Sequence, residues 1–142
     1  IDFTAYNKED LAALRSKFRE KNDWPAHRSC NDALKRKILK EAKDQYQRWN
    51  KNEDREINLR YLYTGDVEVV LDEIIVYILD YYKYRNQDKK IVYKIIVGYG
   101  YGSKNYKKKL YPTVCEYLDY YEISKEDHQT YFLAYFDVSQ GL

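Results

Sequence analysis

The sequence contains no methionine, two prolines, two cysteines, two histidines and five glycines among 142 residues. Each scarcity excludes something. Cys30 and Cys115 lie far apart, and neither belongs to a CxxC or Cys/His cluster. They read as two reduced thiols rather than a disulfide or zinc pair. His27 and His128 are isolated as well, so no metal or other cofactor is expected. Also missing is an apolar run of about 18 residues, the length a membrane-crossing helix needs. The longest apolar stretch, VVLDEIIVYIL at 69–79, is interrupted by Asp72 and Glu73. No signal peptide is visible at the start. Beginning at Ile1 without methionine, the chain reads as a processed or partial product. An intracellular protein is expected, mitochondrial or cytoplasmic, with no membrane partner.

What is abundant is tyrosine and segregated charge. Eighteen tyrosines stand against four phenylalanines. Tyrosine suits surfaces that are half buried and half wet, as interfaces are. The net charge of only +2 hides an asymmetry. Residues 15–60 hold fourteen Lys/Arg against eight Asp/Glu, and 85–109 hold eight against one. By contrast 66–80 hold five acids and no base, and 116–142 hold six acids and one base. Such segregation creates a positive side suited to phosphate. The bland alternative for the second basic block is a set of lysines that solvate a loop.

The apolar content of 44% is enough for a core of one domain. The first fifty residues read as helical. Asn7 followed by Asp10 resembles a weak capping box, and Leu11, Leu14 and Phe18 mark one face. NDWPAHRSC, with Pro25 inside, interrupts the pattern. A second helix is expected over about 31–49, with Leu34, Ile38, Ala42, Tyr46 and Trp49 as its apolar stripe. The two helices are read as a hairpin packed on a neighbour, forming an N-terminal extension over 1–52. From Ile57 the period changes. INLRYLY alternates as a strand does. TGD opens a helix over 67–82, with Val67, Val70, Leu71, Ile74, Ile78 and Tyr81 on one face. Val69, Ile75 and Val76 widen that face, so cover on more than one side is expected. KIVYKIIVG is a second strand. Leu110, Val114, Leu118 and Tyr121 mark another helix, with Pro112 placed in its first turn. TYFLAYFDV is the last strand. The resulting β-α-β-α-β order over 55–142 predicts a two-layer α/β sandwich whose first two strands run parallel. In such sheets ligands bind at the carboxyl ends of the strands.

At that end stands IIVGYGYGSKNYKKKLYPTV, which concentrates three of the five glycines beside four lysines. Together with INLR and the element order, it resembles the Smr (small MutS-related) domain. That family typically carries a first strand ending in Asp-x-His before Gly. Its second strand ends in His or Thr before Gly-x-Gly, and a helix of the form Leu-x-Pro-Ala-Val-x-x-x-Leu follows. IIVGYG matches the second motif at Gly98 and Gly100, Ser103 falls in the loop, and LYPTVCEYL at 110–118 matches the helix. The resemblance covers about 80 residues, 57–138, and implies a fold associated with nicking or cleaving nucleic acid.

The departures from the family carry as much information as the match. Asn58 stands where the family has Asp, Arg60 where it has His, Tyr61 where it has Gly, and Val97 where it has His or Thr. Asn does not accept a proton at neutral pH and Arg does not give one up. General acid–base groups contribute about 10²–10⁴-fold to such a step, and their usual carriers are missing. No catalytic residue is therefore assigned.

Binding groups survive. Glycines at a strand end let backbone N–H groups approach a phosphate. Lys104, Lys107, Lys108 and Lys109 supply positive charge, and Arg60 a fork-shaped phosphate ligand. Tyr99, Tyr101 and Tyr106 are placed to stack on unpaired bases. The expected nucleic-acid-binding set is thus Arg60, Gly98, Tyr99, Gly100, Tyr101, Lys104, Lys107, Lys108 and Lys109. The expected function is a degenerate Smr-like RNA-binding module, a pseudo-nuclease within a ribonucleoprotein such as a ribosome, in contact with ribosomal RNA or mRNA and with protein neighbours. Two alternatives stand beside it. One is a working endonuclease with displaced groups drawn from Asp54, Glu56, Asp66 or His128. The other is a structural, protein-binding subunit of a large assembly.

Overall fold

The computed structural model of the protein describes residues 2–44, 55–82, 90–98 and 104–137. A short 3-10 turn, Phe3–Ala5, leads into α1 (Lys8–Glu20) and α2 (Trp24–Asp44). Asn7 caps α1 as its spacing predicts: its side chain accepts from the Asp10 N–H at 2.8 Å. The second helix starts seven residues before the expected Asn31. Asp23 makes this possible by accepting from the Ala26 N–H at 3.2 Å. Pro25 then falls in the first turn, where a missing N–H has no intrahelical partner to lose. Tyr46 and Trp49, the end of the expected stripe, lie outside the described residues.

The α/β part comprises β1 (Arg55–Asn58), α3 (Thr64–Tyr82), β2 (Lys90–Ile96), α4 (Lys104–Tyr120), β3 (Ser124–Asp127) and β4 (Tyr131–Asp137). The four strands form one mixed sheet in the order β1-β2-β4-β3. β1 and β2 run parallel, with Asn58 opposite Ile96, and β4 runs antiparallel to both β2 and β3. Ile57, Tyr93, Ile95, Val97, Phe132, Ala134 and Phe136 are buried on one face of the sheet. They share a single core with Leu71, Ile74 and Ile78 of α3, Val114 and Leu118 of α4, and Leu34 and Ile38 of α2. The alternate positions of β2 and β4 (Val92, Lys94, Ile96, Tyr131, Leu133 and Tyr135) are not buried.

Four expectations are corrected. The first strand ends at Asn58 and does not run through INLRYLY. The Asn58 carboxamide accepts from the Arg60 N–H at 3.1 Å, a local turn that competes with further extension. The element β3 was not expected. SKED has no β-branched or aromatic residue and exists as a strand only because β4 pairs with it along one edge. Pro112 is the ninth residue of α4 and not part of its first turn, because the helix already begins at Lys104. On α3, Ile75 is buried, but Val69 and Val76 are exposed, so the widened apolar surface is covered only in part.

A buried arginine joins the N-terminal helices to the sheet. Arg15 on α1 is 7% exposed. Its Nη1 donates to Asn31 Oδ1 on α2 and its Nη2 to the Tyr61 carbonyl, both at 2.7 Å. The guanidinium lies 4.0 Å from the centre of the Tyr63 ring. Asn31 in turn donates to Asp66 at 3.0 Å, and Lys35 approaches the same carboxylate at 3.5 Å. Hydrogen bonds from a charged donor contribute about 1.5–3 kcal/mol each. Two of them plus a ring contact offset the desolvation of one guanidinium.

Arg15→Met is expected to lower stability by about 2–5 kcal/mol, because two buried acceptors lose their donor. Val69→Ala at an exposed position should stay within about 0.5 kcal/mol. Urea unfolding compares the two. The thiols give a second check. Cys30 is fully buried, donates to the Leu11 carbonyl, and has its pKa pushed up by burial, with the Arg15 charge opposing. Cys115 is half-buried. In the native state iodoacetamide is expected to label Cys115 and leave Cys30 unmodified until the protein unfolds, as mass spectrometry would read.

Candidate nucleic-acid interface

The carboxyl ends of β1 and β2 lie side by side because the two strands are parallel and in register from Arg55↔Tyr93 to Asn58↔Ile96. Past the ladder the Leu59 N–H still donates to the Ile96 carbonyl at 2.9 Å. Chain 59–63 then turns, with Leu59, Tyr61 and Leu62 buried in the core. Arg60 is the residue of this turn that reaches across to the second strand.

Gly98 receives it. Its φ is +65°, a left-handed conformation that favours glycine. A Cβ at this position would lie 2.9 Å from both Cγ and Cδ of Arg60. The structure thus brings together two residues that are 38 positions apart and explains why the second is glycine. The Gly98 N–H, however, donates to the Thr130 carbonyl at 2.8 Å, as does that of Val97 at 3.0 Å. It is committed to the fold and is not offered to a phosphate. Val97, buried at 1% exposure, is core.

The Arg60 guanidinium sits over the Tyr61 ring at 4.7 Å and donates to its hydroxyl at 2.8 Å. That hydroxyl donates to Glu9 Oε1 at 3.3 Å, and Arg60 Nη2 lies 3.8 Å from the same oxygen. Glu9 comes from α1, so the N-terminal helices place a carboxylate against the candidate phosphate ligand. Its pKa is lowered, first by its own backbone N–H and then by Tyr61, Lys8 and Arg60, while desolvation opposes.

The remaining predicted residues divide in two. Tyr99, Gly100 and Tyr101 lie outside the described residues. Lys104, Lys107, Lys108 and Lys109 fall within the first six residues of α4, a helix start with no acid in its first turn, and not in a loop before it. Their side chains are outside the described part. Cations in this position oppose the helix dipole by about 0.3–1 kcal/mol each, a repulsion that a bound anion relieves.

Among the described residues the displaced catalytic candidates Glu56, Asp66 and His128 do not assemble. Asp66 is engaged by Asn31 and Lys35. Glu56 is exposed on β1, and Asp54 lies outside the described residues. His128 approaches Glu126 at 3.0 Å and stacks on Tyr131 at 4.6 Å. Among the described residues no group of three or more His, Cys, Asp and Glu could hold a metal ion. None of the described helices is long and apolar enough to cross a membrane. Sequence reasoning missed Glu9, Tyr61 and Thr130 as parts of this site. Glu9 and Thr130 arrive by tertiary contact, and their local patterns carry no signal for it, whereas Tyr61 is the chain neighbour of Arg60 and could have been found from that adjacency. No family model matches the chain, and no curated protein or solved structure matches it either.

Gly98→Ala is expected to destabilise the protein by about 2–5 kcal/mol, the sum of about 1–2 for a left-handed alanine and about 1–3 for the clash with Arg60. In an Arg60→Ala background only the left-handed part should remain, because Arg60 Cβ is 3.6 Å from the added carbon. A double-mutant cycle by urea unfolding measures the difference. Additive effects would show that the two side chains do not meet.

Proposed function

We propose that the protein is a degenerate Smr-like RNA-binding module that has lost nuclease chemistry and acts within a ribonucleoprotein such as a ribosome. The observation that carries this reading is the packing of Arg60 against Gly98 at the carboxyl ends of two adjacent parallel strands. These are the positions where the two family motifs would fall. The lysine-rich start of α4 follows the second of them directly. Asn58, in the place of the family's Asp, holds the backbone of its own turn. The chemistry that would cut a phosphodiester therefore has no carrier at the motif positions, whereas charge that would hold one is present. Two free thiols fit an intracellular setting, mitochondrial or cytoplasmic.

Binding is tested with fluorescein-labelled single-stranded and hairpin RNA over a series of salt concentrations. Lys107→Ala/Lys108→Ala/Lys109→Ala is expected to weaken binding and to flatten the salt slope by about 0.7 per lost phosphate contact on a single strand. Glu9→Gln removes the carboxylate that competes for Arg60 and should tighten binding by up to about fivefold, the worth of one exposed ion pair. Unchanged affinity in the triple variant would overturn the proposal. Cleavage of the RNA that is lost in His128→Ala or Asp66→Asn would replace it with the displaced-endonuclease reading.

A further inference from the structure

The outer groove between α3 and α4 differs from the site above in every respect. A cavity of about 440 Å³ opens there. Glu68 and Asp72, one helical turn apart on α3, face Glu116, Tyr117, Tyr120 and Tyr121 at the end of α4 and just beyond it. The three rings form one cluster. Tyr120 and Tyr121 meet edge to face at 5.3 Å, Tyr117 and Tyr121 lie 5.4 Å apart, and Tyr117 and Tyr120 lie 6.3 Å apart.

The cluster is built and not merely crowded. The Tyr121 hydroxyl donates to Asp72, and the Tyr117 ring packs against that of Tyr121. Both phenols have raised pKa values, Tyr121 first through its bond to Asp72 and Tyr117 first through burial. The rings are therefore neutral at physiological pH. Tyr120 remains 77% exposed, an unusual position for a large aromatic side chain. Among the described residues no lysine or arginine pairs with Glu68, Asp72 or Glu116, and none lies over these three rings. Lys43 pairs with Glu73 and lies over Tyr77, and Lys125 pairs with Asp119.

Three carboxylates without a cationic partner among the described residues repel phosphate, so nucleic acid is the wrong partner for this groove. Electron-rich ring faces beside carboxylates attract a cation. A planar guanidinium satisfies both at once, because it stacks on an aromatic ring while its edge donates to a carboxylate. We propose that this groove receives an arginine side chain from a partner protein, the guanidinium stacking on Tyr120 and pairing with Glu68 and Glu116. The surface is independent of the RNA-binding reading and lies on the acidic part of the chain.

The test uses the full chain, labelled with ¹⁵N, and a capped five-residue peptide in which glycine alternates with arginine. The same peptide with citrulline in place of arginine keeps the shape and removes the charge. The arginine peptide should give saturable shifts at the amides of the α3–α4 groove, and the citrulline peptide should bind at least about fivefold more weakly. Tyr120→Ala is expected to weaken the arginine peptide about two- to fivefold. Glu68→Gln/Glu116→Gln should remove most of the difference between the two peptides. All three positions are exposed, and unchanged far-ultraviolet dichroism shows that the variants fold. Equal binding of the two peptides, shifts that map elsewhere, absence of saturable shifts, or indifference to the variants would each overturn the proposal.

Discussion

The buried guanidinium of Arg15 is the interaction on which the arrangement rests. It is the point where α1, α2 and the turn after β1 meet, through Asn31, the Tyr61 carbonyl and the Tyr63 ring. A charge this deep is unfavourable unless every neighbour is placed for it. The turn at 59–63 must therefore hold one backbone conformation. That conformation turns Leu59, Tyr61 and Leu62 into the core and sends Arg60 across the strand ends. His27 reinforces it from α2, with Nε2 3.0 Å from the Tyr63 hydroxyl and its ring stacked on the tyrosine. The N-terminal helices thus share a core with the sheet and also shape its functional end.

The same contact explains how the candidate site is balanced. α1 delivers both Arg15, which builds the turn, and Glu9, which faces the guanidinium that the turn presents. Arg60 is consequently held ready in one place, between Gly98, the Tyr61 ring and Glu9. On the proposed reading, a phosphate at Arg60 would displace a mostly exposed carboxylate, a small penalty beside the gain from a preorganised charge. The molecule also separates its charges. Basic residues cluster at the strand ends and the start of α4, whereas carboxylates and tyrosines line the outer groove between α3 and α4. The two surfaces are opposite in charge and lie on different elements, so the two proposals made above do not compete for the same residues.

Particular elements show where sequence reasoning succeeds. Asn7 with Asp10 announced a cap because capping depends on residues three apart. The helical period of Val67, Val70, Leu71, Ile74 and Ile78 announced α3, all five being buried. TYFLAYFDV announced β4 through its alternation, with Phe132, Ala134 and Phe136 buried. The errors have two causes, one tertiary and one local. SKED became a strand because β4 supplied the hydrogen bonds, and INLRYLY stopped being one because Asn58 bonded to its own turn.

By itself the sequence determined the alternation of strands and helices up to α4, the parallel pairing of the first two strands and the core faces of α3 and β4. All of these follow from side-chain identity or from periods of two and 3.6 residues, which are local properties. Only the tertiary structure decided that Arg60 packs on Gly98, that the Gly98 N–H belongs to Thr130, that Glu9 faces the strand ends and that three tyrosines of α4 and its end meet the carboxylates of α3. Those contacts join residues dozens of positions apart. They exist because burying one shared core forces the elements together, and no local pattern records which side chains then meet.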